Sequence, residues 1–125
     1  MVFYDSLAAL RHLQLEVGGD EHFNLPIEGL EPICDVLALT ARQSSPWHDG
    51  FHFVHIGSAS LTHLCQFIAP PLPDPSAASP RASGARHMTA LLASKVAGIS
   101  AIGLLTDERA ASIYEAGRLT FSGTL

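Results

Sequence analysis

Two short stretches, roughly thirty-five residues apart, hold the side chains best suited to chemistry: Pro46-Trp47-His48-Asp49-Gly50-Phe51 and Gly84-Ala85-Arg86-His87-Met88. In the first, an aspartate precedes a glycine at the entry to a strand. Asp-Gly is ordinary turn chemistry, but a hard carboxylate oxygen there can also bind Mg²⁺ or Mn²⁺ and take a proton from a hydroxyl. In the second, a cation and an imidazole open a helix. Helix starts favour anions, so an arginine there is unfavourable unless an anion joins it. Arg86 could hold phosphate oxygens in a bidentate manner, and His87 could ligate a metal through one ring nitrogen. A third polar group, Thr106-Asp107-Glu108-Arg109, follows an apolar run, where open α/β sheets usually bind ligands.

The elements that position these residues are legible from periodicity. Leu7, Leu10, Leu13 and Val17 sit near helical spacing and predict a helix over Ser6–Glu16, stopped by Gly18-Gly19-Asp20. After a loop broken by Pro26, a second helix is expected over Glu31–Ala41, with Pro32 in its first turn. Phe51–Ile56 reads as a strand, Gly57-Ser58-Ala59-Ser60 as a hairpin connection, and Leu61–Ile68 as the returning strand. Five of the eight prolines fall in Ala69–Gly84, which makes that stretch an exposed loop. A helix over Ala85–Val96 follows, closed by Gly98. Ile99–Leu105 is a continuous apolar run, expected as a central strand covered on both faces. Ser112-Ile113-Tyr114, Ala116-Gly117 and Leu119-Thr120-Phe121 suggest a terminal hairpin. The sum is an α/β fold with a mixed, mostly antiparallel sheet flanked by helices.

The bulk numbers fit one domain spanning residues 1–125. The chain is 47% hydrophobic and only 15% charged, as a compact protein is. A net charge of −5 argues against non-specific nucleic-acid binding, although a local basic patch around Arg81 and Arg86 is compatible with it. No leader pattern or membrane-spanning run stands in the sequence, so a cytoplasmic protein with no membrane segment within this chain is expected. Cys34 and Cys65 lie in apolar runs without metal-like spacing and read as buried free thiols. His52, His55 and His63 fall on strands and read as packing or surface residues, as does Trp47. His12 and His22 carry no signal. No Walker A loop, dinucleotide fingerprint or zinc pattern is present.

The two stretches resemble the motifs of the diadenylate cyclase domain, which condenses two ATP molecules into cyclic di-AMP. That family carries Asp-Gly-Ala within Pro-Leu-His-Asp-Gly-Ala, where this chain has Pro46 to Phe51. Its Gly-Thr-Arg-His-Arg corresponds to Gly84 to Met88, and its Ser-Glu-Glu to Thr106, Asp107 and Glu108. The likeness runs from about Gly29 to the C-terminus. It implies an adenine-nucleotide site with Asp49, Arg86 and His87 in catalytic roles. Gly50, Phe51, Gly84, Ala85, Arg86, Thr106 and Glu108 would contact nucleotide, and Asp49 and His87 would hold Mg²⁺ or Mn²⁺. It also implies a homodimer, two domains face to face with one ATP each. The departures weaken the phosphate grip. Ala85 stands in place of a threonine, Met88 in place of an arginine whose charged hydrogen bond is worth roughly 1.5–3 kcal/mol, and Phe51 in place of an alanine. Such erosion suits either a divergent cyclase or a nucleotide sensor that keeps the pocket without turnover.

Overall fold

The computed structural model describes residues 1–17, 23–42, 44–74, 82, 84–106 and 109–125. In chain order the elements are β1 (Val2–Tyr4), β2 (His12–Gln14), β3 (Ile27–Glu28), α1 (Leu30–Thr40), β4 (Phe51–His55) and β5 (Ser60–Ile68). They continue with α2 (Ala85–Ala93), β6 (Ile99–Leu105), β7 (Ala110–Glu115) and β8 (Arg118–Thr124). One mixed, mostly antiparallel sheet runs β2-β5-β4-β1-β6-β7-β8, with β3 pairing β5 beside β2. Among the described residues the single parallel pairing is β1 with β4, Val2 opposite Phe53; on its other edge β1 is antiparallel to β6, Val2 opposite Ile102.

Alternation along the strands divides the side chains between two layers. Val2, Tyr4, Phe53, Ile102 and Tyr114 form one core with Leu91 of α2. Phe3, Val54, Leu61, Leu64 and Cys65 form the other with Ile33 of α1. Trp47 belongs to this second layer, edge-on to Phe23. No helix among the described residues is long and apolar enough to cross a membrane.

The helix expected over Ser6–Glu16 is absent. That region supplies β2 and the turn before it, and Leu13, which a helical stripe would bury, is 70% exposed. The spacing of Leu7, Leu10 and Leu13 imitates a helix, but the short strand β2 finds its partner on β5 instead. α1 begins and ends one residue earlier than its periodicity suggests, and α2 stops at Ala93, three residues short of Val96. β6 has the expected bounds but is not covered on both faces. Ile99, Ile102 and Leu104 are buried, whereas Ser100 and Leu105 are exposed. Cys65 is buried as expected; Cys34, on α1, is exposed. The proline-rich loop lies partly outside the described residues.

Gly98 joins α2 to β6 where the chain returns against β1. Its carbonyl accepts from the amides of Asp5 and Ser6, its φ is +90°, and a Cβ there would strike the Ser6 carbonyl oxygen. Gly98→Ala therefore combines left-handed strain with a backbone clash. It is expected to destabilise the fold by at least about 2 kcal/mol, measurable as a lowered urea midpoint at unchanged slope.

Candidate functional site

The register of the three central strands fixes which motifs share a neighbourhood. Because β1 is parallel to β4 and antiparallel to β6, the starts of β1 and β4 and the end of β6 lie at one end of the sheet. Asp49-Gly50 precedes β4 there, and Thr106 follows β6. Their strands are separated only by β1, about 10 Å across two inter-strand spacings. Between them the Met1 amino group donates to the Gly103 carbonyl at 2.9 Å. Burial first, and then the Arg86 guanidinium, push the pKa of that amine down to about 5. The helix start that carries Arg86 is tied to this region by the next residue, for His87 meets Tyr114, which lies opposite Ile102, itself opposite Val2.

The Asp-Gly turn is held sterically. Gly50 has φ +81°, and a Cβ on it would lie 2.9 Å from the Cys65 carbonyl carbon and from Leu15 Cδ1. Only glycine fits the chain that closely against β5. Cys65 is itself at φ +53°, so β5 bends at this point. The Cys65 amide, turned out of the ladder, donates to His52 Nδ1 at 3.0 Å, and its thiol donates to the Trp47 carbonyl at 3.1 Å. Burial, and then the Asp49 carboxylate, raise the thiol to about 11. Asp49 is 68% exposed with His48 Nε2 at 3.3 Å, leaving carboxylate oxygen open to solvent.

α2 begins at Gly84, at φ +82°, with no side-chain cap and no acidic residue in its first turn. Ala85 and Arg86 are exposed. His87 turns toward the sheet, where Nδ1 meets the Tyr114 hydroxyl at 2.7 Å. Burial raises the pKa of that phenol, which keeps its proton. Phe51 and Met88 both pack against the α2-side core. The ring that stands in place of the family's alanine and the side chain that stands in place of its arginine are thus both engaged in packing. Thr106 Oγ1 accepts the Ala110 amide at 3.3 Å and closes the β6–β7 turn. Glu108 and Asp107 lie outside the described residues, as does Arg81.

Asp49, Gly50, Arg86 and Thr106 thus border one sheet end, with His87 reaching inward from the same helix start. Among the described residues no hydrogen bond or ion pair links Asp49 to Arg86 or His87. No group of three His, Cys, Asp or Glu side chains among them could hold a metal by itself. Sequence reasoning gave Tyr114 no role, because a tyrosine in a strand pattern carries no sign of its cross-layer partner. His52, expected as a packing or surface residue, supports the bend under the Asp-Gly turn through its Nδ1. No known protein family matches the chain, and no characterised protein or solved structure matches it.

His52 ties the turn to pH. Burial, and then the Met1 charge, depress its pKa from 6.5 to about 4. The unfolded chain binds this proton at a higher pH than the folded one, so the stability is fully present above 6.5 and is lost as pH falls toward 4. The shift corresponds to about 3 kcal/mol. Urea unfolding at pH 7 and pH 4.5 should show that loss. In His52→Asn, whose side-chain oxygen can replace Nδ1 as acceptor, the pH dependence should be markedly smaller.

Proposed function

We propose that this chain is an adenine-nucleotide-binding domain of the diadenylate cyclase type, acting on ATP carried with a divalent cation. The observation behind this reading is the β4-β1-β6 register, which brings the Asp-Gly turn and the end of β6 to one end of the sheet, together with the His87–Tyr114 contact that ties the Arg86-bearing helix start to the neighbouring strand β7. These are the three segments in which the motif resemblance lies. Exposed backbone N–H groups at the α2 start and the Arg86 guanidinium suit phosphate.

The donor set fits a cation that arrives with the nucleotide and not a resident one. Mg²⁺ and Mn²⁺ take one or two carboxylates and complete their shell with phosphate oxygens and water. Asp49 offers such a carboxylate, and no three-ligand cluster stands behind it among the described residues. When bound, the cation would neutralise charge on the phosphates. The chain's own groups do the rest. Arg86 holds the phosphates, Asp49 accepts the proton of a ribose hydroxyl, and Phe51 and Met88 form an apolar floor.

His87 has two roles open to it, divided by its tautomer. With its proton on Nδ1 it presents the Nε2 lone pair to a cation. With its proton on Nε2 it donates to a phosphate oxygen. Among the described residues the Tyr114 hydroxyl has no partner except His87. A buried hydroxyl donates its proton where it can, which favours donation to Nδ1 and a phosphate-facing Nε2–H.

In the cyclising reaction two domains meet face to face. Each ribose 3′-oxygen attacks the other nucleotide's α-phosphate, a new P–O bond forms, and pyrophosphate leaves. Positioning supplies most of the acceleration. The sensor reading, nucleotide binding without turnover, is favoured by one observation: Ala85 has no hydroxyl and Met88 packs against the core, so of positions 85, 86 and 88 only Arg86 still offers phosphate a polar side chain.

Incubating the chain at high concentration with ATP and Mn²⁺, followed by chromatography, separates the two readings. Cyclic di-AMP that disappears in Asp49→Asn is the cyclase result, and tight ATP binding without product is the sensor result. In both, Arg86→Ala should weaken ATP binding by about tenfold or more, as expected for one charged hydrogen bond. Absence of ATP binding by the unaltered chain would refute the proposal.

A further inference from the structure

A second group of side chains, independent of the nucleotide reading, lies where β2 meets β5. We propose that His12 and His63 form a binding site for a borderline transition-metal ion such as Zn²⁺. The rings stand with centroids 5.3 Å apart and planes at 83°. Two imidazoles sharing one tetrahedral ion, each nitrogen about 2.0–2.1 Å from it, have centroids about 5 Å apart. The pair already has that separation.

The polar contacts determine which nitrogen of His12 is available. Gln66 Nε2 donates to the Leu64 carbonyl at 3.1 Å and to Gln14 Oε1 at 2.6 Å. A carbonyl only accepts, so the amide orientation of Gln66 is fixed. Its Oε1 then faces His12 Nδ1 at 2.9 Å and must receive a proton from it. Neutral His12 therefore carries its lone pair on Nε2. Gln14 is fixed in the same way, donating to the Leu15 and Leu64 carbonyls. An imidazole whose second nitrogen donates to a held oxygen is the usual setting of a metal-ligating histidine.

His63 has a matching support. Its Nδ1 lies 2.8 Å from Thr62 Oγ1, which can donate its own proton to the Phe53 carbonyl at 3.4 Å and also meets the Tyr4 hydroxyl at 2.7 Å. With that proton on Phe53, Thr62 accepts from Tyr4 O–H and from His63 Nδ1–H, which leaves His63 Nε2 with a lone pair. Among the described residues no hydrogen bond occupies either Nε2. Phe53, fully buried, contacts both rings at 5.1 and 5.2 Å and restricts their movement.

The donors select the ion. Two neutral imidazoles without a carboxylate suit Zn²⁺, Cu²⁺ or Ni²⁺ and are poor ligands for Mg²⁺, Mn²⁺ or Ca²⁺. Two protein ligands leave the remaining positions to water or to an exchangeable ligand. Occupancy would also clip the three-residue strand β2 to β5, and binding to the folded state alone would raise the melting temperature.

Calorimetric titration of the whole chain with Zn²⁺ alone should give one ion per chain. Affinity should fall at least tenfold in His12→Ala and in His63→Ala and stay unchanged in His55→Ala. Long-range ¹⁵N spectra of the unaltered protein provide a readout that does not depend on variants folding. On adding Zn²⁺, the Nε2 resonances of His12 and His63 should shift together. Absence of binding, unchanged affinity in the double variant, or shifts confined to other histidines would overturn the proposal.

Discussion

Three residues, Val2 to Tyr4, make ladder hydrogen bonds on both edges of β1, parallel to β4 and antiparallel to β6. Through them two antiparallel halves, β2-β5-β4 and β6-β7-β8, become one sheet with one core against α2. Val2 is fully buried and lies opposite both Phe53 and Ile102. The direction of this short strand has a chemical consequence. If β1 ran antiparallel to β4 and parallel to β6, the Asp49 turn and the end of β6 would still meet, but the start of β1 and the Met1–Gly103 contact would lie at the other end.

A chain of contacts then fixes the Asp-Gly turn against that frame. Gly50 lies against the bent segment of β5, the bend turns the Cys65 amide outward, and His52 Nδ1 receives it. The strain of a non-glycine residue at positive φ is thereby accompanied by a satisfied buried amide. On the opposite side of the sheet end, Tyr114 orients His87 from within the core. The imidazole is held by a buried partner, while the Asp49 carboxylate and the Arg86 guanidinium remain in solvent.

Much of this fold was legible in the sequence because its elements are locally consistent. The alternation of β4 and β5, the helical stripe of α1 and the Ala116-Gly117 turn of the last hairpin each express a short-range preference that the tertiary structure keeps. The N-terminal region was not legible. β1 and β2 are three residues each, and their strand character comes from partners roughly 50 to 100 residues away, which no local window contains. The candidate site divides along the same line. Asp49, Gly50 and Arg86 could be singled out from type and position, whereas Tyr114, His52 and the His12–His63 pair depend on contacts between distant segments. The threefold leucine spacing that suggested a helix also concealed His12, because a residue assigned to a helix flank has no evident partner on β5.

The central claim is that the sheet end bounded by Asp49, Arg86 and Thr106 receives an adenine nucleotide. Amide ¹H–¹⁵N spectra recorded while the chain is titrated with a non-hydrolysable ATP analogue and Mg²⁺ test it most directly. The account predicts saturable shifts concentrated at Asp49 to Phe51, Gly84 to His87 and Gly103 to Thr106. Shifts gathered on the α1 face, or none at millimolar nucleotide, would contradict it.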